Sequence, residues 1–459
     1  MSVKKKQRLE VVVLAAGKGT RMHSKLPKVL HEIGDKALLG HVLDTAVDLG
    51  ADAIHVIYGH GGETVPECFP DHKVDWVLQA EQNGTGHAVQ QALPHIKKDA
   101  TVLVLYGDVP LIKNHTLQGL VDKAGTGKLS LLTAVLADPA GYGRIVRDNA
   151  QNILRIVEKK DASQEELQLN EINTGFLAAP SELLKKWLAK LENNNAQGEF
   201  YLTDIIAMAV TDGTGVISAQ PENEWEIMGV NSKIDLAALE RYLQNHIARD
   251  LLQQGVTLRD PFRIDVRGKL TVAQDVTIDV NTVFEGNVTL GEGVIIGPNC
   301  VLKDVEIGSG TIVLANCVFD TATIGKNCRI GPFSRIRPEA KLANDVQIGN
   351  FVEIKKSDVA DGSKINHLSY VGDTTVGKKV NIGAGTITCN YDGVNKHRTV
   401  IGDNAFIGSD SQLVAPVTVA AGATIGAGTT LTRDAPAGDL TLSRAKQKTI
   451  SGWERPKKK

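Results

Sequence analysis

A period of six governs the chain after Asp260 and constrains its fold more than any other feature. Aliphatic or aromatic residues recur at Ile278, Phe284, Leu290, Ile296 and Leu302. The run resumes at Val318, Ile324, Ile330, Ile336, Leu342, Ile348 and Ile354, and returns at Ile401, Ile407, Leu413, Val419 and Ile425. Small residues fill the place four beyond, as at Ser334, Ala340, Val346, Val352, Ala405, Ser411 and Ala423. Between runs the step falls to five, from Leu302 to Ile307 and from Ile354 to Val359. Neither the helical period of about 3.6 nor the strand period of about 2 produces this spacing. It predicts a hexapeptide β-helix. Three hexads make a triangular coil of about 18 residues, so Ile278 to Thr430 supplies roughly eight stacked coils. The interruption between Ile382 and Ile401 contains residues 388–396, read as a loop thrown out of the prism, and such loops are candidates for function.

The first half follows a different rule. From residue 9 to about 230, apolar strand-like runs (Val11–Leu14, Ala53–Tyr58, Val74–Gln79, Val102–Tyr106, Leu129–Val135) alternate with helical patterns near 38–49, 86–96 and 114–124. This alternation predicts an α/β domain with a largely parallel sheet. From Ser232 to Gln254, Ile234, Leu236, Leu239, Tyr242, Leu243, Ile247 and Leu251 keep a helical period without glycine or proline. The expected organisation is therefore a first domain over 1–230, a linker helix over 231–254 and a β-helix with its tail over 255–459.

Composition narrows the class of partner. At 459 residues the chain has room for two or three cores, and its formal net charge of -2 argues against nucleic-acid binding. The lysine runs at 4–6 and 457–459 read as solvated tails. No signal peptide or long apolar run is visible, so a soluble, cytoplasmic protein that does not engage membranes is expected. The five cysteines (68, 300, 317, 328 and 389) show no CxxC spacing. Cys300, Cys317 and Cys328 occupy the small position of the repeat and read as core.

The segment Leu14-Ala15-Ala16-Gly17-Lys18-Gly19-Thr20-Arg21-Met22, with Pro27-Lys28 after it, follows the first apolar strand. Glycines at 17 and 19 let backbone amides approach phosphate closely. Lys18, Arg21 and Lys28 can neutralise a triphosphate. The spacing fits neither the P-loop nor the dinucleotide fingerprint, whose third glycine is replaced here by Met22. Tyr106-Gly107-Asp108 ends another strand and offers either a turn cap or a Mg²⁺ ligand. In the β-helix, Arg337, Lys355, His367, Tyr370 and Asn381 break the repeat code with bulky polar groups, and an imidazole suits proton removal near neutrality. The repeats alone fit a scaffold as well as an enzyme.

The loop 14–22, Lys28, Gln79 with Gly84-Thr85-Gly86, Tyr106-Gly107-Asp108, Gly141-Tyr142-Gly143-Arg144, Glu158, Asn173-Thr174-Gly175, Gly229-Val230-Asn231 and the run HLSYVGD from His367 occur in one order. Together with the β-helix they resemble the bacterial bifunctional N-acetylglucosamine-1-phosphate uridyltransferase/glucosamine-1-phosphate acetyltransferase family over nearly the whole chain. The resemblance implies a Rossmann-like α/β nucleotidyltransferase domain joined by a long helix to a left-handed parallel β-helix. It implies a homotrimer that uses UTP, acetyl-CoA and Mg²⁺ to make the precursor of cell-envelope polysaccharide. Asp108 and Asn231 would hold the metal, and Arg21 and Lys28 would stabilise phosphate charge. Leu14, Ala15, Ala16, Gly17, Tyr106 and Gly107 would line the nucleotide, with Gln79, Gly84 and Thr85 reading uracil. Gly143, Glu158 and Asn173 would hold N-acetylglucosamine. His367 would be the general base of acetyl transfer, and Arg337, Lys355, Tyr370 and Asn381 would bind glucosamine 1-phosphate. Asn390 and Tyr391 would shape the acceptor site next to the coenzyme. Ala384, Ser409, Ala427 and Arg444 would contact acetyl-CoA. A uridyltransferase on a merely trimerising prism and a non-catalytic sugar-nucleotide sensor are the rival readings.

Overall fold

The computed structural model describes residues 8–59, 62–139 and 141–458. The lysines at 4–6 and Lys459 lie outside them. The chain separates between Leu243 and Gln244 into two compact units, a division that falls inside the helix Lys233–Gln253.

In the first unit the sheet comprises β1 (Arg8–Leu14), β2 (Ala53–Tyr58), β3 (Asp75–Leu78), β4 (Ala100–Tyr106), β5 (Leu129–Val135), β6 (Arg144–Arg147), β7 (Ile153–Val157), β8 (Glu171–Pro180) and β9 (Val216–Ala219). Their order is β9-β5-β8-β4-β1-β2-β3, with β6 and β7 forming a hairpin on β8. The central strands are continuous aliphatic runs because both faces are covered. Val11, Val13 and Leu103 pack into one core layer, while Val12, Val104 and Trp187 pack into the other. β1 pairs in parallel with β2 and β4, and β3 with β2, so Leu14, Tyr58, Leu78 and Tyr106 finish at one edge of the sheet. Loops at that edge are where an open α/β sheet binds ligands. The sheet is less parallel than the alternation predicts, since β8 runs antiparallel to both β4 and β5. β8 carries an irregularity between Asn173 and Leu177, with Gly175 at φ 91. A Cβ on Gly175 would lie 2.5 Å from the Tyr106 ring, so only glycine lets β8 close on that side chain.

Among the described residues of the second unit the named strands all pair in parallel, and they stack as coils. On one face Ile278, Ile296, Val313, Ile330, Ile348, Ile365, Ile382, Ile407 and Ile425 lie in register from coil to coil, all buried. The other two faces merge into one sheet where Thr282–Leu290, Val301–Ile307 and Val318–Ile324 bend through a corner. The corner is turned by Gly286, Asp304 and Thr321 at φ 64, 50 and 47. The small residues at 334, 340, 346, 352, 405, 411 and 423 are all buried. Among them the hydroxyls of Ser334 and Ser411 donate to Gly349 O (2.7 Å) and Gly408 O (2.6 Å), which satisfies them inside the prism. Cys300, Cys317 and Cys328 are buried free thiols, as core residues should be.

Three details differ from the sequence reading. Val318 faces outward at 43% exposure, while Phe319 is fully buried in register with Leu302 and Ile336. The five-residue step therefore falls between Phe319 and Ile324. Ile234 lies on the outer side of its helix, 81% exposed. Thr388 is still an inward strand residue, its hydroxyl donating to Gly372 O at 3.1 Å, so the excursion begins at Asn390 rather than at 388. Among the described residues no helix is long and apolar enough to cross a membrane.

Candidate active sites

The first site is built from the loops after β1, β3 and β4. The loop after β1 is clasped at its root, Ala15 N donating to Ile57 O (2.8 Å) and Gly107 N to Leu14 O (2.9 Å). Beyond it Gly17 is open, with no atom near where a Cβ would stand, so its backbone is free to meet a ligand. Gly19 is instead structural. It lies at φ 60, and a Cβ there would strike the Lys28 side chain at 2.6 Å. Two cavities open here. One, of about 320 Å³, is lined by Leu14, Ala15, Ala16, Gly17, Lys28, Gln79, Gly84, Thr85, Tyr106 and Asp108, together with Gln82 and Glu199. The other, of about 490 Å³, is lined by Arg21, Tyr106, Asp108, Gly143, Glu158, Asn173 and Asn231, together with Tyr142 and Asp235. Tyr106 and Asp108 belong to both, so two ligands would meet beside the Asp108 carboxylate.

Charge at that junction is already organised. Lys28 Nζ is paired with the Asp108 carboxylate and lies 3.5 Å from Asn231 Oδ1, which also accepts from Arg21 at 3.0 Å. A carboxylate and an amide oxygen thus converge on one cation, and a small set of hard oxygen donors suits Mg²⁺. Asn231 is held from both sides. Val230 N donates to Asp108 O at 2.9 Å, and Asp235 accepts from Asn231 N at 3.1 Å while capping Ser232 at the start of the helix. A separate group of His115, Glu222 and Glu226 shares none of these residues. Its Glu226 is engaged by Thr116 Oγ1 at 2.6 Å.

In the second cavity, burial pushes the Glu158 carboxyl above its ordinary pKa, although Thr203 Oγ1 donates to it at 3.2 Å. A Cβ on Gly143 would lie 3.2 Å from Glu158 Oε1, leaving glycine as the residue that keeps this carboxylate accessible. Asn173 N donates to Gly143 O (2.8 Å), and Asn173 Oδ1 accepts from Gly175 N (3.0 Å). The Tyr106 phenol is held neutral, first by burial and then by Asp108 and Glu158. Tyr142 and Asp235 carry no role in the sequence reading. Tyr142 stands inside the motif Gly141-Tyr142-Gly143-Arg144, whereas no motif singles out Asp235, an acidic residue in the first turn of its helix.

The second site lies on the β-helix. His367 is exposed, and its Nδ1 lies 2.8 Å from Asn350 Oδ1. With Asn350 Oδ1 toward the ring, the imidazole proton sits on Nδ1, since an amide oxygen only accepts, and the Nε2 lone pair is left free. Arg337 donates to Glu353 at 2.7 Å, Lys355 lies 3.8 Å from Asp373, and Asn390 Nδ2 is bonded to Asp373 and lies 3.5 Å from the Tyr370 hydroxyl. Tyr370 stacks on Glu353 in strand register, and Asn381 sits one coil beyond Lys364. Further along the same prism, Asp410 N bonds Ala384 O (2.7 Å) and Gly428 N bonds Ser409 O (2.8 Å). Ala384, Ser409 and Ala427 thus follow one another on successive coils, a track of small side chains. Arg444 stands at its end, close to where Cβ atoms on Gly426 and Gly428 would be. Tyr391 lies on the protruding loop, paired across it with Lys396. Asn350 and Glu353 are absent from the sequence reading, and Asp373 stands there only as the unassigned end of the run from His367, because their partners lie 16–18 residues away, on adjacent coils.

Residues 11–258 match the MobA-like NTP transferase domain, residues 266–348 the GMPPB C-terminal domain, and residues 398–433 the bacterial transferase hexapeptide (six repeats). Curated relatives align end to end. The chain is 63% identical to the bifunctional protein GlmU of Thiobacillus denitrificans, over 98% of each chain. It is 59% identical to the bifunctional protein GlmU of Janthinobacterium sp., over 98% of this chain and 99% of that one. It is 58% identical to that of Nitrosospira multiformis, over 98% of each.

Proposed function

The chain belongs to the family of bifunctional GlmU proteins, and from that premise we propose that each unit carries one of two consecutive reactions. The enzyme acetylates glucosamine 1-phosphate from acetyl-CoA. It then transfers UMP from UTP to the N-acetylglucosamine 1-phosphate so formed, giving UDP-N-acetylglucosamine and pyrophosphate. The observation that carries the uridyl-transfer half is the pair of cavities in the first unit that share Tyr106 and Asp108. One takes the nucleotide and the other the sugar phosphate, whose oxygen attacks the α-phosphorus in line and expels pyrophosphate. Lys28 and Arg21 meet the charge that builds on the phosphates. Asp108 and Asn231 would hold Mg²⁺, which supplies Lewis-acid polarisation of the α-phosphate when bound. Glu158 and Asn173 orient the amino sugar. Asp108→Ala should abolish pyrophosphate release while leaving the melting temperature within a few degrees. Near-normal release from that variant would remove Asp108 from the chemistry.

On the β-helix, Arg337 and Lys355 hold the phosphate of glucosamine 1-phosphate, and His367 Nε2 takes the amine proton as nitrogen attacks the thioester. The track Ala384–Ser409–Ala427 leaves room for the pantetheine arm, and Arg444 faces the coenzyme phosphates. A homotrimer completes the reading. Phe333 and Phe351 stack at 5.1 Å although each is about half exposed, and Leu368 beside His367 is 63% exposed. All three occupy left-handed backbone at φ 57, 57 and 50, where bulky residues are rare. An apolar stripe of this kind fits a second copy of the chain seated next to the acceptor site. The reading makes the enzyme a cytoplasmic one.

A further inference from the structure

Gln79, one of the residues lining the nucleotide cavity, is 3% exposed, and its side-chain amide has a fixed orientation. Nε2 lies 3.2 Å from Gly84 O and 3.1 Å from His87 Nδ1. A carbonyl oxygen only accepts, so the Gln79 NH₂ group must face Gly84. Turning the amide over would set two oxygens against each other at that distance in a buried place. With the NH₂ group there, His87 Nδ1 must be the accepting nitrogen, and the imidazole proton resides on Nε2. That nitrogen is 3.1 Å from Gln91 Nε2, which also donates to His87 O at 3.2 Å, so the half-buried Gln91 side chain has to swing away from the ring for the Nε2 proton to be accommodated, a smaller cost than unpairing the buried Gln79 amide. Gln79 Oε1 is then the free end. It has no hydrogen-bond partner among the described residues, yet it is not among the fully occluded unsatisfied atoms.

We propose that His87 is a positioning residue that sets base specificity by locking Gln79 with its oxygen toward the nucleotide. This rests on the uridyltransferase reading given above. An acceptor at that place matches a pyrimidine carrying N3–H, as uracil and thymine do. Cytosine presents a lone pair at N3, and oxygen would face lone pair. Wild-type Gln79 could donate to cytosine only by giving up both Gly84 O and His87. Without His87 the same turn costs one bond fewer, and the discrimination weakens. His87 also packs beside Phe200, ring centroids 6.3 Å apart, so a purely structural role has to be separated from this one.

The test is pyrophosphate release by the full-length enzyme with N-acetylglucosamine 1-phosphate and UTP, CTP or dTTP. We expect His87→Leu, which keeps bulk but has no acceptor, to lower the UTP-to-CTP ratio of kcat/KM by roughly tenfold. The UTP-to-dTTP ratio should stay unchanged, because both bases carry N3–H. His87→Asn, whose Oδ1 can stand in for Nδ1, should restore the UTP-to-CTP ratio. If His87→Leu fails to fold, His87→Ala and the asparagine variant carry the same comparison. An unchanged UTP-to-CTP ratio, or an asparagine variant as relaxed as the leucine one, would overturn the proposal. Failure of wild-type protein to use UTP would instead overturn the reading beneath it.

Discussion

Glu158 shows a functional group held against the preference of its surroundings. Burial is the largest influence on its carboxyl and raises the pKa. The protonated form therefore supports the folded state below the usual carboxylate range, and this support is lost as pH rises through the raised value. At neutral pH the buried charge costs stability, a cost that the proposed hydrogen bond to the sugar would offset. Glu158→Gln should accordingly raise the melting temperature at pH 7 and narrow the gap to wild type near pH 4, while the KM for N-acetylglucosamine 1-phosphate rises. Thermal melts at the two pH values check the sign. At His367 the motif alone pointed to a base, but only the stacked Asn350 fixes which nitrogen is free. His367→Ala should cut acetyl transfer roughly 10²–10⁴-fold and leave pyrophosphate release intact, which paired assays of the two reactions would read. Residues named by local motifs (Asp108, Lys28, Asn231, His367) were legible in the sequence. Asn350 and Glu353 were not, nor was the pairing of Asp373 with Lys355, because a side chain's neighbour in a β-helix is one coil away rather than beside it in the chain.

Among the elements, the coil was the most legible and its register the least. A period of six places one aliphatic inside each face of the prism, but two adjacent apolar residues such as Val318 and Phe319 leave the choice to packing. Phe319 won because it continues the stack between Leu302 and Ile336. The consequence is measurable in denaturant. Ile348→Ala, inside the ladder, should lose about 2–5 kcal/mol from the unfolding of the second unit. Val318→Ala, on the outside, should change it by about 0.5 kcal/mol or less. The parallel strands of the first unit were equally plain as aliphatic runs. The hairpin β6–β7 and the antiparallel β8 were not, since Gly175 and the irregularity around it take their meaning from the Tyr106 ring they approach.

For the whole molecule, the change of period near residue 255 predicts two architectures; contacts divide the chain into two compact units between Leu243 and Gln244, inside the helix. The proposed assembly is less visible in sequence, because Phe333, Phe351 and Leu368 are spaced by coils and form a stripe only after folding. Replacing Phe333 and Phe351 together by Glu should yield monomers in sedimentation, with acetyl transfer falling further than uridyl transfer. Trimers that persist would remove the stripe from the interface. The central claim is that the β-helix is a catalyst in its own right. Its most direct test is thiol release from acetyl-CoA by the full-length protein, with glucosamine 1-phosphate present and UTP omitted. Release that depends on the amino sugar is the predicted result. No release from protein that still forms UDP-N-acetylglucosamine from UTP and N-acetylglucosamine 1-phosphate would contradict it, leaving a uridyltransferase on a structural prism.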